Sequence, residues 1–345
     1  MTSTLSRLSP KVRGRKAGLI IRLAVGLSLL AFVLSLVDLD QVKQVVARVK
    51  YPYFWLAVLL VMVDRFAMAF KWRLLLSAKS IFISFWRAIE IYLISGFVGV
   101  ILPSGVGSDI YRVYYTSKPI GKLGHIASSV IVERFLGMAA SAIFAIVGLT
   151  VMWTVARKSV VQQEILTIMF VTLTVLIAGF VVSMTALPFK IAERLLAHWS
   201  RPRFAAKLAS FREAYHEYGR YKAKLTVFFL LSVAEQGLFV LITYVGALAI
   251  DIRLDISYFL GIVPVCQIIK RIPISINSIG VQEGLFVYFF GQAGISATEA
   301  LSLSILTRIA QWSAMLTGGV LYVMDSSMRI DPKSLPVDKV PADDR

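Results

Sequence analysis

Apolar runs of about 20 residues recur along the sequence, and they constrain its fold more than any other feature. A helix of that length crosses the hydrocarbon core of a bilayer. The composition agrees, because 57% of the 345 residues are hydrophobic, against roughly 45–50% in soluble domains. The sequence therefore predicts an all-α polytopic membrane protein.

Two of the apolar regions are interrupted, and the others predict six full membrane spans. The interrupted regions are 84–118, which breaks at PSGVGSD (103–109, the first break), and 257–290, which breaks at IPISINSIGVQEG (272–284, the second break). The full spans are predicted at 17–37, 53–76, 124–153, 165–186, 225–250 and 299–323.

Basic residues indicate which side of the membrane each segment occupies. The tail 1–16 contains five Lys or Arg and the loop 187–224 contains nine, and such charge is retained in the cytoplasm. The number of crossings between them is then even only if 84–118 enters and leaves on the cytoplasmic side. The basic tail 324–345 requires, by the same logic, that 257–290 enter and leave from the outer face. We therefore predict two re-entrant helical hairpins; the alternative is that the breaks are ordinary solvent loops between plain spans.

These assignments divide the chain into two similar halves of opposite orientation. Repeat one covers 17–153 and repeat two covers 165–323, and each contains two spans, a hairpin and a third span. This order predicts the inverted-topology repeat of many secondary transporters.

The two breaks are expected to lie at membrane depth as the tips of the hairpins. Non-helical backbone at that depth must be buried in protein or line a polar cavity. Ser108 or Asp109 can cap the helix that returns from the first break, and Asn277 or Ser278 the one that returns from the second. The amino terminus of a helix attracts anions, so each tip can bind one.

Charged residues within the spans strengthen this interpretation. Arg134 and Arg308 fall near the middle of their spans, and Arg65 and Glu235 reach a similar depth. Charges at that depth normally face a cavity or a partner and mark function. We predict an anion-binding cavity between the tips; the alternatives are structural ion pairs and, for the pair at 270–271, snorkelling to the outer surface. The predicted substrate-binding residues are Ser104, Gly105, Gly107, Ser108, Asp109, Arg112, Glu133, Arg134, Lys270, Arg271, Asn277, Gly280, Glu283 and Arg308.

Other classes of site have no support in the sequence. One cysteine, three scattered histidines and no Walker motif predict no metal, no cofactor and no catalytic residues. The net charge of +17 lies in short loops and tails, which fits membrane topology and predicts no nucleic-acid partner. The basic amphipathic loop 187–224 predicts a helix on an anionic lipid surface, with a solvated loop as the alternative.

Several short motifs resemble one membrane-protein family. LPSGVGSDIYRVYY, VIVERFLGM, NSIGVQEG and LTRIAQW are similar to motifs of the lysylphosphatidylglycerol synthase/flippase transmembrane domain family, and FKWRLLL resembles its Arg-Trp motif with Lys71 and Trp72 in place. The resemblance covers roughly 17–323 and implies a bacterial or archaeal plasma-membrane protein that moves, or helps to make, a modified lipid. Gly107-Ser108 replaces the family's common double glycine, which is expected to alter headgroup contacts.

The resulting hypothesis is a lipid flippase of the bacterial inner membrane, with both termini cytoplasmic. Its substrate would be a modified phospholipid, a glycolipid or a polyprenyl-linked lipid with a polar or anionic headgroup. Fused family members carry a soluble aminoacyl transferase, whereas 22 residues follow the last span here, so we expect no synthase activity. Two alternatives remain: an accessory scaffold of a glycosyltransferase or lipid-modifying system, and a lipid-modifying enzyme with Asp109 or Glu133 as its base. The sequence also leaves a homodimer open.

Overall fold

The computed structural model describes residues 47–101, 107–155, 211–272 and 275–324, together with isolated positions at 44 and between 167 and 182. The predicted span 17–37, both tails, most of the loop 187–224 and the predicted site residues Ser104 and Gly105 lie outside the described residues. The predicted span 165–186 is described only at isolated positions.

The described residues form helices and no strand, which confirms the all-α prediction. A helical segment at 211–217 and a 3₁₀ turn at Tyr218–Arg220 precede the fifth of the long helices. In chain order the main helices are α1 (Tyr51–Ala78), α2 (Phe85–Ile101), α3 (Gly107–Ile120), α4 (Leu123–Val155), α5 (Lys222–Ala249), α6 (Ile256–Lys270), α7 (Val281–Gln292) and α8 (Ala297–Met324).

Three of these helices are long and apolar enough to cross a membrane: α1, α4 over Leu123–Thr154, and α5. Helices α1 and α5 have 28 residues each, or roughly 42 Å at about 1.5 Å per residue, which exceeds the bilayer core of about 30 Å. They coincide with the predicted spans 53–76, 124–153 and 225–250. Helix α8 also has 28 residues and covers the predicted span 299–323.

Local sequence explains where several helices begin. Pro52 lies in the first turn of α1, where its missing N–H costs nothing. The carboxylate of Asp255 caps α6 by accepting a 2.8 Å hydrogen bond from the backbone N–H of Ser257.

Helices α1 and α5 pack antiparallel over their whole length. At one end the backbone N–H of Lys50, which precedes α1, donates a 2.8 Å hydrogen bond to the carbonyl of Ala249, the last residue of α5. At the other end Lys224 of α5 donates a 3.0 Å hydrogen bond to the hydroxyl of Ser77.

Two glycines allow the closest helix contacts of the bundle. A Cβ atom at Gly148 of α4 would lie 1.9 Å from the carbonyl oxygen of Leu260 in α6, and one at Gly318 of α8 would lie 2.1 Å from that of Leu93 in α2. Small residues let helix backbones meet in this way in membranes. The contacts α4–α6 and α8–α2 are therefore equivalent.

This equivalence extends to all the substantial contacts among the eight helices. Exchanging α1 with α5, α2 with α6, α3 with α7, and α4 with α8 maps each pair of packed helices onto another packed pair. The pair α1–α5 maps onto itself, and its two members are antiparallel. The two halves thus share one packing pattern and run in opposite directions.

Helices α2 and α3 form a hairpin around the first break. Arg87 near the start of α2 donates a hydrogen bond to the hydroxyl of Tyr115 near the end of α3. At the opposite end, a Cβ atom on Gly99 would lie 2.8 Å from the Cβ of Ser108. The arms are therefore antiparallel neighbours, and α6 and α7 also pack on each other around the second break.

Candidate functional site

Two adjoining chambers lie in the centre of the helix bundle, and together we call them the central cavity. The first chamber, of about 220 Å³, is lined mainly by α1, α2, α3, α4 and α8. The second, of about 180 Å³, is lined by α1, α3, α4, α5 and the end of α6. Met68, Asp109 and Glu133 line both chambers, which places these carboxylates at their junction.

The two breaks meet at the first chamber. Gly99, Ser108 and Asp109 line it from the first hairpin, and Asn277 lines it from the second break. Arg65, near the middle of the 28-residue helix α1, lines the same chamber. Both breaks therefore reach the mid-length of a helix that is long enough to span a membrane.

A charge-balanced network surrounds the first break. The buried guanidinium of Arg112 lies 3.1 Å from a carboxylate oxygen of Glu133 and 3.4 Å from one of Asp109. Arg134 pairs with Asp109, and the hydroxyl of Tyr92 donates a hydrogen bond to Glu133. Two arginines thus offset two carboxylates where α3 begins.

Aromatic rings hold Arg112 in place. Its guanidinium carbon lies 4.9 Å from the centre of the Trp72 ring and 4.5 Å from that of Tyr92, which are cation–π distances. The indole of Trp72 donates a 3.1 Å hydrogen bond to Ser129 on α4. Arg112 therefore ties together α1, α2, α3 and α4.

Arg308 on α8 holds the second break. Its guanidinium donates hydrogen bonds of 2.9 Å to Glu283, 3.1 Å to the carbonyl of Asn277 and 3.2 Å to the carbonyl of Ser278. The other carboxylate oxygen of Glu283 accepts a 2.7 Å hydrogen bond from the backbone N–H of Gly280. This cluster pairs backbone groups that the break would otherwise leave unbonded at membrane depth.

The predicted helix caps are wrong at the second break. Asn277 (φ 49°) and Ser278 (φ 55°) belong to a 3₁₀ turn, and the residue that precedes α7 is Gly280 (φ 79°). Only glycine adopts that positive φ without strain, so the chain turns there.

The caps predicted at the first break are also wrong. Helix α3 begins at Gly107, so Ser108 and Asp109 are already in its first turn. The carboxylate of Asp109 is occupied by Arg112 and Arg134.

Lys270 and Arg271 differ from the other predicted cations. They end α6, and in the part of the chain that the structure describes neither forms an ion pair with a carboxylate. Arg271 lines the second chamber, and its guanidinium lies 3.7 Å from the position of a Cβ on Gly137. Lys270 faces a separate polar space of about 10 Å³, which is room for about one water molecule.

Some residues of the central cavity escaped the sequence-based selection. Lys71 of α1 forms a buried ion pair with Glu235 of α5 and lies 3.1 Å from the hydroxyl of Ser232. Gln236 lines the second chamber beside them. The charge of Glu235 within a span had already indicated a deep position, and the same signal could have selected Lys71. Nothing in the sequence distinguishes Gln236 from other polar residues of the spans.

Beyond the spanning helices, the segment 211–221 packs on the end of α1. Lys79 lies 2.8 Å from Glu217, and the hydroxyl of Tyr218 donates a 3.0 Å hydrogen bond to the carbonyl of Leu75. The hydrogen bond from Lys79 holds the pKa of Glu217 below its usual value, and burial lowers the pKa of Lys79. Tyr218 belongs to the same buried apolar cluster as Phe228, which lines the second chamber, so this segment lies next to the wall of the cavity.

Taken together, the central cavity can bind a polar group but has few unpaired charges. Within the described part of the chain, its carboxylates are engaged by arginine or lysine, and Arg271 is its cation without a paired carboxylate. Among the residues that the structure describes, no three His, Cys, Asp or Glu side chains group as ligands for a metal ion.

Comparison with known proteins assigns the chain to a family. The sequence model of the lysylphosphatidylglycerol synthase transmembrane region matches residues 19–319. The chain belongs to this family. With several long apolar helices in addition, the chain is that of a multi-pass membrane protein.

Two relatives are both named as UPF0104 membrane proteins. The one from Methanothermobacter thermautotrophicus is 26% identical over 277 residues, which cover 73% of this chain and 77% of that protein. The one from Pyrococcus horikoshii is 21% identical over 333 residues, which cover 89% of this chain and 97% of that protein.

Proposed function

We propose that this protein moves lipids with a polar or anionic headgroup across the plasma membrane. One observation carries the proposal: the two breaks meet at a charged cavity halfway along helices that are long enough to span a bilayer. The headgroup passes through the central cavity while the lipid tails remain in the hydrocarbon. Arg271 faces that path and has no paired carboxylate among the described residues, which makes it the principal contact for a lipid phosphate.

The packing of the helices supports an inverted repeat with two re-entrant hairpins and six full spans. The contacts are preserved when the halves are exchanged, and the self-paired helices α1 and α5 are antiparallel. Two units related in this way expose a central site to either side by rocking against each other. Both termini then lie in the cytoplasm, with the first hairpin entering from that side.

The paired arginines have a different part in this mechanism from Arg271. Arg112, Arg134 and Arg308 maintain the shape of the breaks through bonds to carboxylates and carbonyls. They are therefore positioning residues, which separates them from a group that is free to bind a headgroup.

A cavity-filling substitution tests transport in liposomes. Gly137 lines the second chamber, and a Cβ there meets only Arg271 at 3.7 Å, so Gly137→Leu places its larger side chain in the chamber. The rate at which a fluorescent phospholipid changes leaflets should fall to that of protein-free vesicles. The matched control is Gly237→Leu on α5, where a Cβ meets no described residue within 4 Å. Equal rates for Gly137→Leu and wild type would contradict the proposal.

Labelling of single cysteines tests the topology. The native Cys266 is buried and can be replaced by alanine. Cysteines at Ser84 and Lys118, on either side of the first hairpin, should react only from the cytoplasm, and cysteines at Arg253 and Ser296 only from outside. Reaction of Ser84 and Lys118 from opposite sides would exclude a re-entrant first hairpin.

The lipid composition of a deletion strain separates transport from the alternatives. Loss of a lipid species indicates synthesis, whereas a lipid that is present but confined to the inner leaflet indicates transport. A scaffold predicts that Gly137→Leu restores the deletion strain as well as wild type does.

A further inference from the structure

Among the described residues, five positive charges line the central cavity and four carboxylates pair with them. The structure pairs Arg65 with Asp64, Lys71 with Glu235, and both Arg112 and Arg134 with Asp109 and Glu133. Of the five lining cations, only Arg271 lacks a paired carboxylate within the described residues. Arg271 is exposed within this chamber, so its charge is open to a ligand of opposite charge.

In the second chamber, which Arg271 lines, the side chain of Gln236 lacks a hydrogen-bond donor among the described residues. Gln236 is 1% exposed and lines the second chamber. Its amide nitrogen donates to the backbone carbonyl of Ser232 at 3.4 Å, while its side-chain oxygen accepts no hydrogen bond from the described residues. A buried acceptor of this kind needs a donor, which a hydroxyl or an ammonium group can supply.

The unpaired charge of Arg271 favours one of these two donors over the other. A phosphodiester carries one negative charge, which offsets the single surplus charge of Arg271. An added ammonium group would cancel that negative charge and bring a second cation beside Arg271, whereas a hydroxyl supplies the donor without charge. The pair of Arg271 and Gln236 therefore suits a phosphodiester with a hydroxyl-bearing substituent.

We propose that the second chamber binds the headgroup of a monoanionic, hydroxyl-bearing phospholipid and discriminates against cationic aminoacylated headgroups. This inference rests on the proposed lipid transport and specifies its substrate class. Arg271 binds the phosphate and Gln236 accepts a hydrogen bond from a headgroup hydroxyl.

Lipid binding to the purified full chain, measured by native mass spectrometry, tests the proposal with three probes. Phosphatidylglycerol should bind about threefold or more tightly than phosphatidylmethanol, which has the same charge and no hydroxyl. Lysyl-phosphatidylglycerol, whose net charge is positive, should bind most weakly. Equal or tighter binding of lysyl-phosphatidylglycerol would overturn the proposal.

Two substitutions assign the roles of the residues. Arg271→Gln should weaken phosphatidylglycerol binding about tenfold, as loss of a charge-assisted hydrogen bond does, while Arg253→Gln in the exposed connection before α6 should not. Gln236→Leu should abolish the preference for phosphatidylglycerol over phosphatidylmethanol and leave the binding of phosphatidylmethanol unchanged. Thermal unfolding of the same samples excludes misfolding as the cause. Wild-type binding by Arg271→Gln would contradict the assignment.

Two further experiments distinguish a lipid from a free phosphodiester as the ligand, and distinguish failure of this inference from failure of the proposed transport. Soluble glycerophosphoglycerol should not displace the lipid; displacement at the same concentration as phosphatidylglycerol would mean that the site reads a free phosphodiester and would overturn the lipid assignment. Movement of lysyl-phosphatidylglycerol but not phosphatidylglycerol in liposomes would overturn this inference and leave lipid transport standing. Selective binding of phosphatidylglycerol without any movement between leaflets would overturn lipid transport and leave this inference standing.

Discussion

The two breaks are each held by an equivalent ion pair between an acid and an arginine, but the charges around that pair differ. In each, an acid in the first turn of the returning helix pairs with an arginine 25 residues further along the chain: Asp109 with Arg134, and Glu283 with Arg308. The repeated ion pair holds the fold, because it satisfies groups that membrane depth leaves without water.

The difference lies in the residues around this shared pair. At the first break Arg112 is matched by Glu133, so the charges balance. At the second, Lys270 and Arg271 end α6, and neither forms an ion pair in the described chain. Balanced charge at the first break supports its structure, whereas the unpaired cation Arg271 at the second is the group to which we assign the proposed ligand.

The largest expected effect comes from unbalancing the first break. Arg112→Leu leaves the carboxylates of Glu133 and Asp109 without their buried partner, which should cost about 3–5 kcal/mol. The melting temperature in detergent should fall strongly, whereas Arg271→Gln at the second break should leave it unchanged. Similar melting temperatures of both variants would contradict the claim that Arg112 supports the structure and Arg271 does not.

A somewhat smaller loss is expected when the equivalent ion pair is removed from the second break. Arg308→Gln removes the partner of Glu283 and the donors to two carbonyls, which should cost about 3 kcal/mol. Melting of the single variants and of Arg308→Gln with Glu283→Gln gives a double-mutant cycle. A coupling near zero would show that Arg308 does not hold the break.

The equivalent glycines test how far the halves share one packing. Gly148→Ala and Gly318→Ala each place a Cβ against a backbone carbonyl oxygen, and each should lower stability by about 1–3 kcal/mol. Gly237→Ala, in open space on α5, is the control and should not destabilise. A large loss of stability at only one of the two contact glycines would show that the halves are equivalent at the breaks but not in this helix packing.

The smallest effect is expected at an ion pair outside both breaks. Glu217→Gln removes the charge that faces the buried ammonium of Lys79 but keeps an amide oxygen that can accept its hydrogen bond, so the loss should be about 1 kcal/mol. Because the pKa of Glu217 is lowered in the folded protein, its contribution is full above the usual glutamate pKa and is lost as the pH falls through the lowered value. Melting curves across acidic pH should therefore converge for wild type and Glu217→Gln; a constant difference would exclude this linkage.

The sequence alone determined which segments are helical and where the chain breaks. Apolar runs bounded by glycine, proline and charge predicted α1, α4, α5 and α8, and the motifs around Asp109 and Arg308 predicted the family. These are local properties, since a helix is specified by residues within a few turns.

Tertiary structure alone decided which charges are paired and which side chains share a chamber. At the first break the carboxylate of Asp109, predicted as a possible cap of α3, pairs instead with Arg134 on α4. Lys71 meets Ser232 across 161 positions of sequence, and Gln236 lies in the same chamber as Arg271 only because α5 and α6 fold together. Partner choice depends on distance in space, which the pattern along a single helix does not contain.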